Sequence, residues 1–200
     1  MNPKETALLL IGYQNDYFSQ DGILYSVIEE QGQAAKVLVN SIELIRELSD
    51  TSVLMVSTPI IFSPDYHELV DPVGILKTIK EVGAFKSGNK GSKTIEEFKE
   101  FSDRIIEVKG KQSFNAFSNT KLESILKENK IKNIIIAGAI TSICIDSTGR
   151  SAVEKGFKVT VLSDCSCGRT SFEQQYYCEN IFPAYGETKT AKDMIGLLKK

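Results

Sequence analysis

The 200-residue chain has one histidine, His67, and four cysteines, Cys144, Cys165, Cys167 and Cys178. A lone histidine excludes a metal centre built on three, and leaves only His67 as the partner for a Cys–His dyad. Four cysteines in a chain this long are not the disulfide framework of a small secreted scaffold. Cys165 and Cys167 lack the two-residue spacing of a zinc pair, and no second pair follows. No apolar run approaches the length of a membrane-spanning helix, and no signal peptide is recognisable at the start. Basic residues never form a block. The 24 Lys and Arg against 26 Asp and Glu give a net charge of −2, which argues against nucleic acid or a membrane surface as partner. Internal repeats and low-complexity segments are missing too. The expectation is a cytoplasmic protein of one domain over residues 1–200, with a core drawn from 42% hydrophobic residues.

Apolar runs of strand length alternate with helical spacing. Residues 6–11 (TALLLI) read as a strand, followed by the polar-aromatic loop GYQNDYF at 12–18. Residues 29–48 carry helical spacing through Ala34, Val37, Leu38, Ile42, Ile45 and Leu48. Strands are expected at 52–57, 104–108, 133–137 and 157–162, with a weak one near Tyr185. Short helices are expected at 95–101, after Asn119 through Leu126, from Ile145 to Gly156, at 171–181, and finally to Leu198. The excursion 59–93 reads as a long loop, with an exposed and mobile end at 86–93. Alternation of this kind predicts a three-layer α/β/α fold around a doubly wound, mainly parallel, six-stranded sheet. Sites in such sheets lie outside the carboxyl ends of the strands. The loop after the first strand has one glycine rather than the three of a dinucleotide fingerprint.

Three strand ends carry chemistry. Cys144 is expected in the first turn of the helix that follows strand 133–137, where free N–H groups and the positive dipole end favour a thiolate. The alternative for Cys144 is a small buried hydrophobe. Lys111 stands after another strand, just before Phe114 and Phe117, and is read either as a site residue or as a solvated surface lysine. The third end is the loop at 12–18.

Together these ends resemble the isochorismatase-like cysteine hydrolases. The segments that carry the resemblance are LLLIGYQNDYF, then KQSFNAF from Lys111, then the Gly-x-x-Thr-x-x-Cys turn from Gly138 to Cys144, with SDCSCG after the fifth strand. Each is weak alone; their order and spacing along nearly the whole chain are specific. The resemblance implies a triad of Asp, Lys and Cys, with Cys144 as nucleophile and Lys111 as thiolate stabiliser. It also implies a non-proline cis peptide at Ala139–Ile140, and an oxyanion hole formed by the Ile140 and Cys144 amides. Family members are commonly dimers or tetramers, so a homodimer or homotetramer acting on a small-molecule substrate is expected, without a cofactor.

The chain departs from the pattern where the family has its aspartate, for that position is Gly12. Glycine accepts no proton, and general-base catalysis is typically worth about 10²–10⁴-fold. Asp16 is the nearest substitute, against its plainer reading as a turn or helix-cap residue. Asp65 and His67 form an Asp-x-His, but no further histidine completes a nicotinamidase-like metal set, and His67 is read as a loop or pocket-wall residue. Phe18, Ile61, Phe62, Phe114 and Tyr177 are candidates for an apolar substrate pocket, although core packing accounts for each equally well. The leading expectation is a cysteine hydrolase of small amide, carbamoyl or ureido compounds, impaired by Gly12. The alternative is a small-molecule binder on the same scaffold.

Overall fold

The strand β1 (Thr6–Ile11) is buried at every residue. Leu8 and Leu10 enter one apolar cluster, and Ala7, Leu9 and Ile11 enter a second. A strand with no polar face must be covered on both sides, as parallel strands in α/β proteins are. The computed structural model describes residues 1–199, with Gln31 described by its backbone alone.

The other elements follow in alternation. The short helix α1 (Asn15–Phe18) precedes the long α2 (Gln31–Leu48) and β2 (Leu54–Thr58). Then come α3 (Gly74–Val82), β3 (Ile105–Glu107), α4 (Leu122–Glu128) and β4 (Asn133–Ala139). The chain ends with α5 (Asp146–Glu154), β5 (Lys158–Cys167), α6 (Ser171–Tyr176), β6 (Glu187–Lys189) and α7 (Ala191–Leu198). The six strands form one sheet in the order β3-β2-β1-β4-β5-β6, and every pairing within it is parallel. One face is covered by α2 and α7 through Leu44, Ile45, Leu48, Met194 and Leu198. The other is covered by α4 and α5 through Leu122, Leu126 and Ala152. This is the doubly wound three-layer arrangement that the alternation predicts.

Three local expectations are corrected. The excursion after β2 is not irregular throughout. Residues Gly74–Val82 form α3, which buries Ile79 and leans Ile75 and Leu76 on the core. β5 runs well beyond residue 162, because a register shift after Ile136 lets Gly138 pair with Ser166 and Ala139 with Cys167. Third, Cys144 lies in a π-helical turn, Thr141–Ile145, that precedes α5 rather than in the first α-helical turn.

Candidate active site

Strand order reverses between β1 and β4, which opens a crevice outside their carboxyl ends. The loop after β4 carries Cys144. Gly138 near the end of that strand has φ +128, and a Cβ there would fall inside the Ile11 carbonyl oxygen of β1. Only glycine lets the two strands approach so closely. The Ala139–Ile140 peptide is cis. The π-helical turn is anchored by Thr141 Oγ1, which donates to Gln174 Oε1 at 2.5 Å. Gln174 Nε2 in turn donates to the Ser163 carbonyl at 3.0 Å and to Ser166 Oγ at 3.1 Å. The Ile140 carbonyl accepts from Ile143 and Ile145, while the Ile140 N–H donates to no acceptor among the described residues. A buried N–H without a partner is costly unless something accepts from it, and it is the kind of donor that holds a developing oxyanion.

Lys111 follows β3. Its carbonyl accepts from the Ile61 N–H at 3.1 Å, which seats it beside the end of β2. Its loop is tied to α5 by the Ala116 N–H, which donates to Thr148 Oγ1 at 3.1 Å. The side chain is 1% exposed, and its ammonium reaches Cys144 Sγ at 3.5 Å. Because β1 lies between β2 and β4, with strands ~4.8 Å apart, the lysine extends across the end of β1, where Gly12 stands. No carboxylate pairs with Lys111 among the described residues. A buried polar group needs a hydrogen-bond partner, and the Cys144 sulfur is the one that the Lys111 nitrogen has among the described residues.

Gly12 adopts φ +73, and a Cβ built on it would lie 2.7 Å from the Ala139 carbonyl oxygen and 3.7 Å from the Tyr17 ring. Asp16 makes no ion pair with Lys111 among the described residues. It is buried, its Oδ2 accepts from the Phe85 N–H at 2.6 Å, and its carboxylate packs on Gly91. It thus latches the segment at 85–91, close to its plainer turn-residue reading. Gln14 acts beside it, donating to the Ile60 and Ser92 carbonyls at 2.8 and 2.7 Å and accepting from the Ile60 N–H at 2.8 Å. The Lys-, Gly- and Ser-rich end of the excursion is therefore stitched to the loop after β1 rather than left without contacts.

The remaining candidates fall into two groups. Phe62 is sealed in the core with its ring centroid 5.6 Å from that of Tyr66, and Phe18 stacks on Tyr13 at 5.1 Å. Tyr177 packs edge-on against Phe182 at 5.7 Å. Ile61 and Phe114 are half-buried. His67 is exposed and its Nδ1 lies 3.0 Å from Asp65 Oδ1, so it is a loop residue whose charged form is favoured by that carboxylate. No cluster of three or more His, Cys, Asp or Glu able to hold a metal occurs among the described residues. Burial pushes the Cys165 and Cys167 thiols up to about 12, and Cys178 up to about 11; all three remain thiols at neutral pH.

Sequence reasoning did not single out Thr58 or Tyr17. Thr58 ends β2 beside Ile11, and its Oγ1 is buried without a hydrogen-bond partner. Tyr17 lies on Gly12 and is 5% exposed. Thr58 carries no motif and its only signal was its position at a strand end; Tyr17 lies within LLLIGYQNDYF, where its own role had no separate signal.

A doubly wound parallel sheet with a buried Cys–Lys pair at its switch point defines the class: an α/β protein whose candidate site lies outside the carboxyl ends of its central strands. The chain belongs to the isochorismatase family: the Isochorismatase domain matches residues 6–193. It is 26% identical to Nicotinamidase 3 of Arabidopsis thaliana over 82% of this chain and 74% of that protein. It is also 26% identical to maleamate amidohydrolase of Pseudomonas putida over 98% of this chain and 88% of that protein. Among solved structures, a cysteine hydrolase from Pseudomonas syringae pv. phaseolicola 1448A superposes with TM-score 0.84 at 20% identity, covering 98% of this chain and 93% of the other. No helix among the described residues is long and apolar enough to cross a membrane.

Proposed function

We propose that the protein hydrolyses a C–N bond in a small amide, carbamoyl or ureido compound, with Cys144 as nucleophile. The observation that carries this reading is the buried contact of Lys111 Nζ with Cys144 Sγ at 3.5 Å. In this scheme the ammonium holds the sulfur as thiolate, the nucleophilic form. The thiolate attacks the substrate carbonyl carbon, and the Ile140 and Cys144 N–H groups receive the oxyanion. Collapse of that adduct expels the amine and leaves a thioester, which water hydrolyses. Two relatives named as a nicotinamidase and an amidohydrolase support the reaction class. The substrate is a small molecule, and the chain acts as a homodimer or homotetramer.

The test is release of ammonia or amine from a panel of small amides and ureas, comparing the unsubstituted chain with Cys144→Ala and Lys111→Met. Cys144→Ala is expected to remove turnover without loss of fold. Lys111→Met is expected to slow iodoacetamide alkylation of Cys144 and to leave stability unchanged or raised, because it removes a buried charge. Undiminished turnover by Cys144→Ala ends this reading. A second reading, a binding protein without turnover, is favoured by Gly12 in the place of the proton-accepting aspartate. It predicts ligand-dependent thermal stabilisation with no product formed.

A further inference from the structure

Three tyrosines of the described chain are buried, and they differ in one respect. Tyr13 bonds Ser41 Oγ at 2.5 Å and donates to the Cys165 carbonyl at 3.0 Å, and Tyr66 donates to the Ala84 carbonyl at 2.6 Å. Tyr17 makes no hydrogen bond through its hydroxyl among the described residues. A buried tyrosine hydroxyl ordinarily finds a partner. The exception lies beside Gly12. The Tyr17 ring is 3.7 Å from the point where a Gly12 Cβ would be, and it is held edge-on against Phe85 with centroids 5.1 Å apart. Among the described residues Thr58 Oγ1 is the one sealed side-chain polar atom without a partner, so the unbonded Tyr17 oxygen keeps some exposure.

Resting on the hydrolase reading, we propose that Tyr17 is a further catalytic residue, the acid that protonates the leaving nitrogen, in a site that has no aspartate to do so. The phenol enters the reaction carrying its proton. Burial, then the charges of Cys144, Cys167 and Asp16, hold it well above the ordinary tyrosine range. It therefore stays protonated while Lys111 and Cys144 form the ion pair. When the tetrahedral adduct collapses, the C–N bond breaks, its electron pair stays on nitrogen, and nitrogen takes the Tyr17 proton. The resulting phenolate accepts a proton from the water that attacks the thioester. Collapse of that second adduct releases the carboxylic acid and returns the Cys144 thiolate, so Tyr17 ends as it began.

Tyr17→Phe tests this, because it removes only an unbonded hydroxyl. Two substrates separate the acid from the nucleophile: an amide from the panel, whose nitrogen needs a proton to leave, and p-nitrophenyl acetate, whose phenolate does not. Tyr17→Phe should lower amide turnover about 10²–10⁴-fold while keeping Cys144-dependent p-nitrophenol release within about threefold of the unsubstituted chain. Iodoacetamide alkylation of Cys144 should be unchanged. Equal losses on both substrates would make Tyr17 a packing residue and overturn the proposal, as would undiminished amide turnover. An unsubstituted chain that releases p-nitrophenol through Cys144 but cleaves no amide would also overturn it, leaving the nucleophile intact. Failure of Cys144 to react with either substrate would remove the hydrolase reading itself, and Tyr17's role with it.

Discussion

A side chain at position 12 meets two obstacles. The backbone there has φ +73, a region that L-residues with a Cβ enter at a cost, and the Cβ would sit 2.7 Å from the Ala139 carbonyl oxygen. Gly12→Asp is therefore not a simple gain of a carboxylate. It is expected to destabilise the chain by about 1–3 kcal/mol, a loss read from the urea midpoint, and to leave amine release no higher than before. Gly12→Ala should lose a similar amount, since the Cβ carries the cost. A Gly12→Asp chain that is as stable as its parent and faster on amides would contradict the backbone argument. The residue scale also sorts the thiols. Cys165 and Cys167, held up at about 12 by burial, and Cys178, held at about 11, should resist iodoacetamide at neutral pH, leaving Cys144 as the site of labelling found by peptide mass.

At the scale of elements, the excursion between β2 and β3 is held by few but buried bonds. Gln14 alone makes three, two to Ile60 and one to Ser92. Asp16 adds the Phe85 N–H, and the backbone N–H groups of Asn15 and Asp16 donate to the Lys93 and Gly91 carbonyls at 3.0 and 2.9 Å. Truncation of Gln14 leaves buried donors and acceptors without partners, each costing about 1–3 kcal/mol. Gln14→Ala is thus expected to cost about 3 kcal/mol in all, and to open residues 86–93 to limited proteolysis. Protection of that segment equal to the parent's would show that α3 and its neighbours hold it without Gln14. This is where sequence reading fell short. The Gly, Lys and Ser content of 86–93 is a fair signal of a surface loop. Its partners lie some seventy positions earlier, in GYQNDYF, and no local pattern records them.

At the scale of the whole molecule, sheet order makes the fold depend on distant segments. β1 stands at the centre, but its neighbours are β2 and β4, and β4 begins only at Asn133. A fragment of residues 1–130 would leave one edge of β1 unpaired and Leu9 and Ile11 without the layer that Ile134 and Ile136 provide. An exposed apolar strand edge is a site of aggregation rather than of stable structure. The fragment is expected to show no cooperative urea transition by near-ultraviolet circular dichroism. A sharp transition would mean that the first three strands form a unit of their own.

The sequence by itself determined the class of fold and the residues that meet at the strand ends. TALLLI and NIIIA are apolar runs of strand length, which read as buried parallel strands, and the intervening helical spacing had to cover both sides. Cys144 and Lys111 were legible because each follows an apolar run at the end where such sheets place their sites. The tertiary structure alone decided that Lys111 and Cys144, 33 residues apart, touch. It also decided that Asp16 is spent on Phe85, that β5 continues through Cys167, and that the Tyr17 ring lies against Gly12. The division has one physical cause. Periodicity is carried by near neighbours in the chain and survives reading in one dimension. The partner of a buried polar group is chosen only when the sheet closes and brings separate loops together.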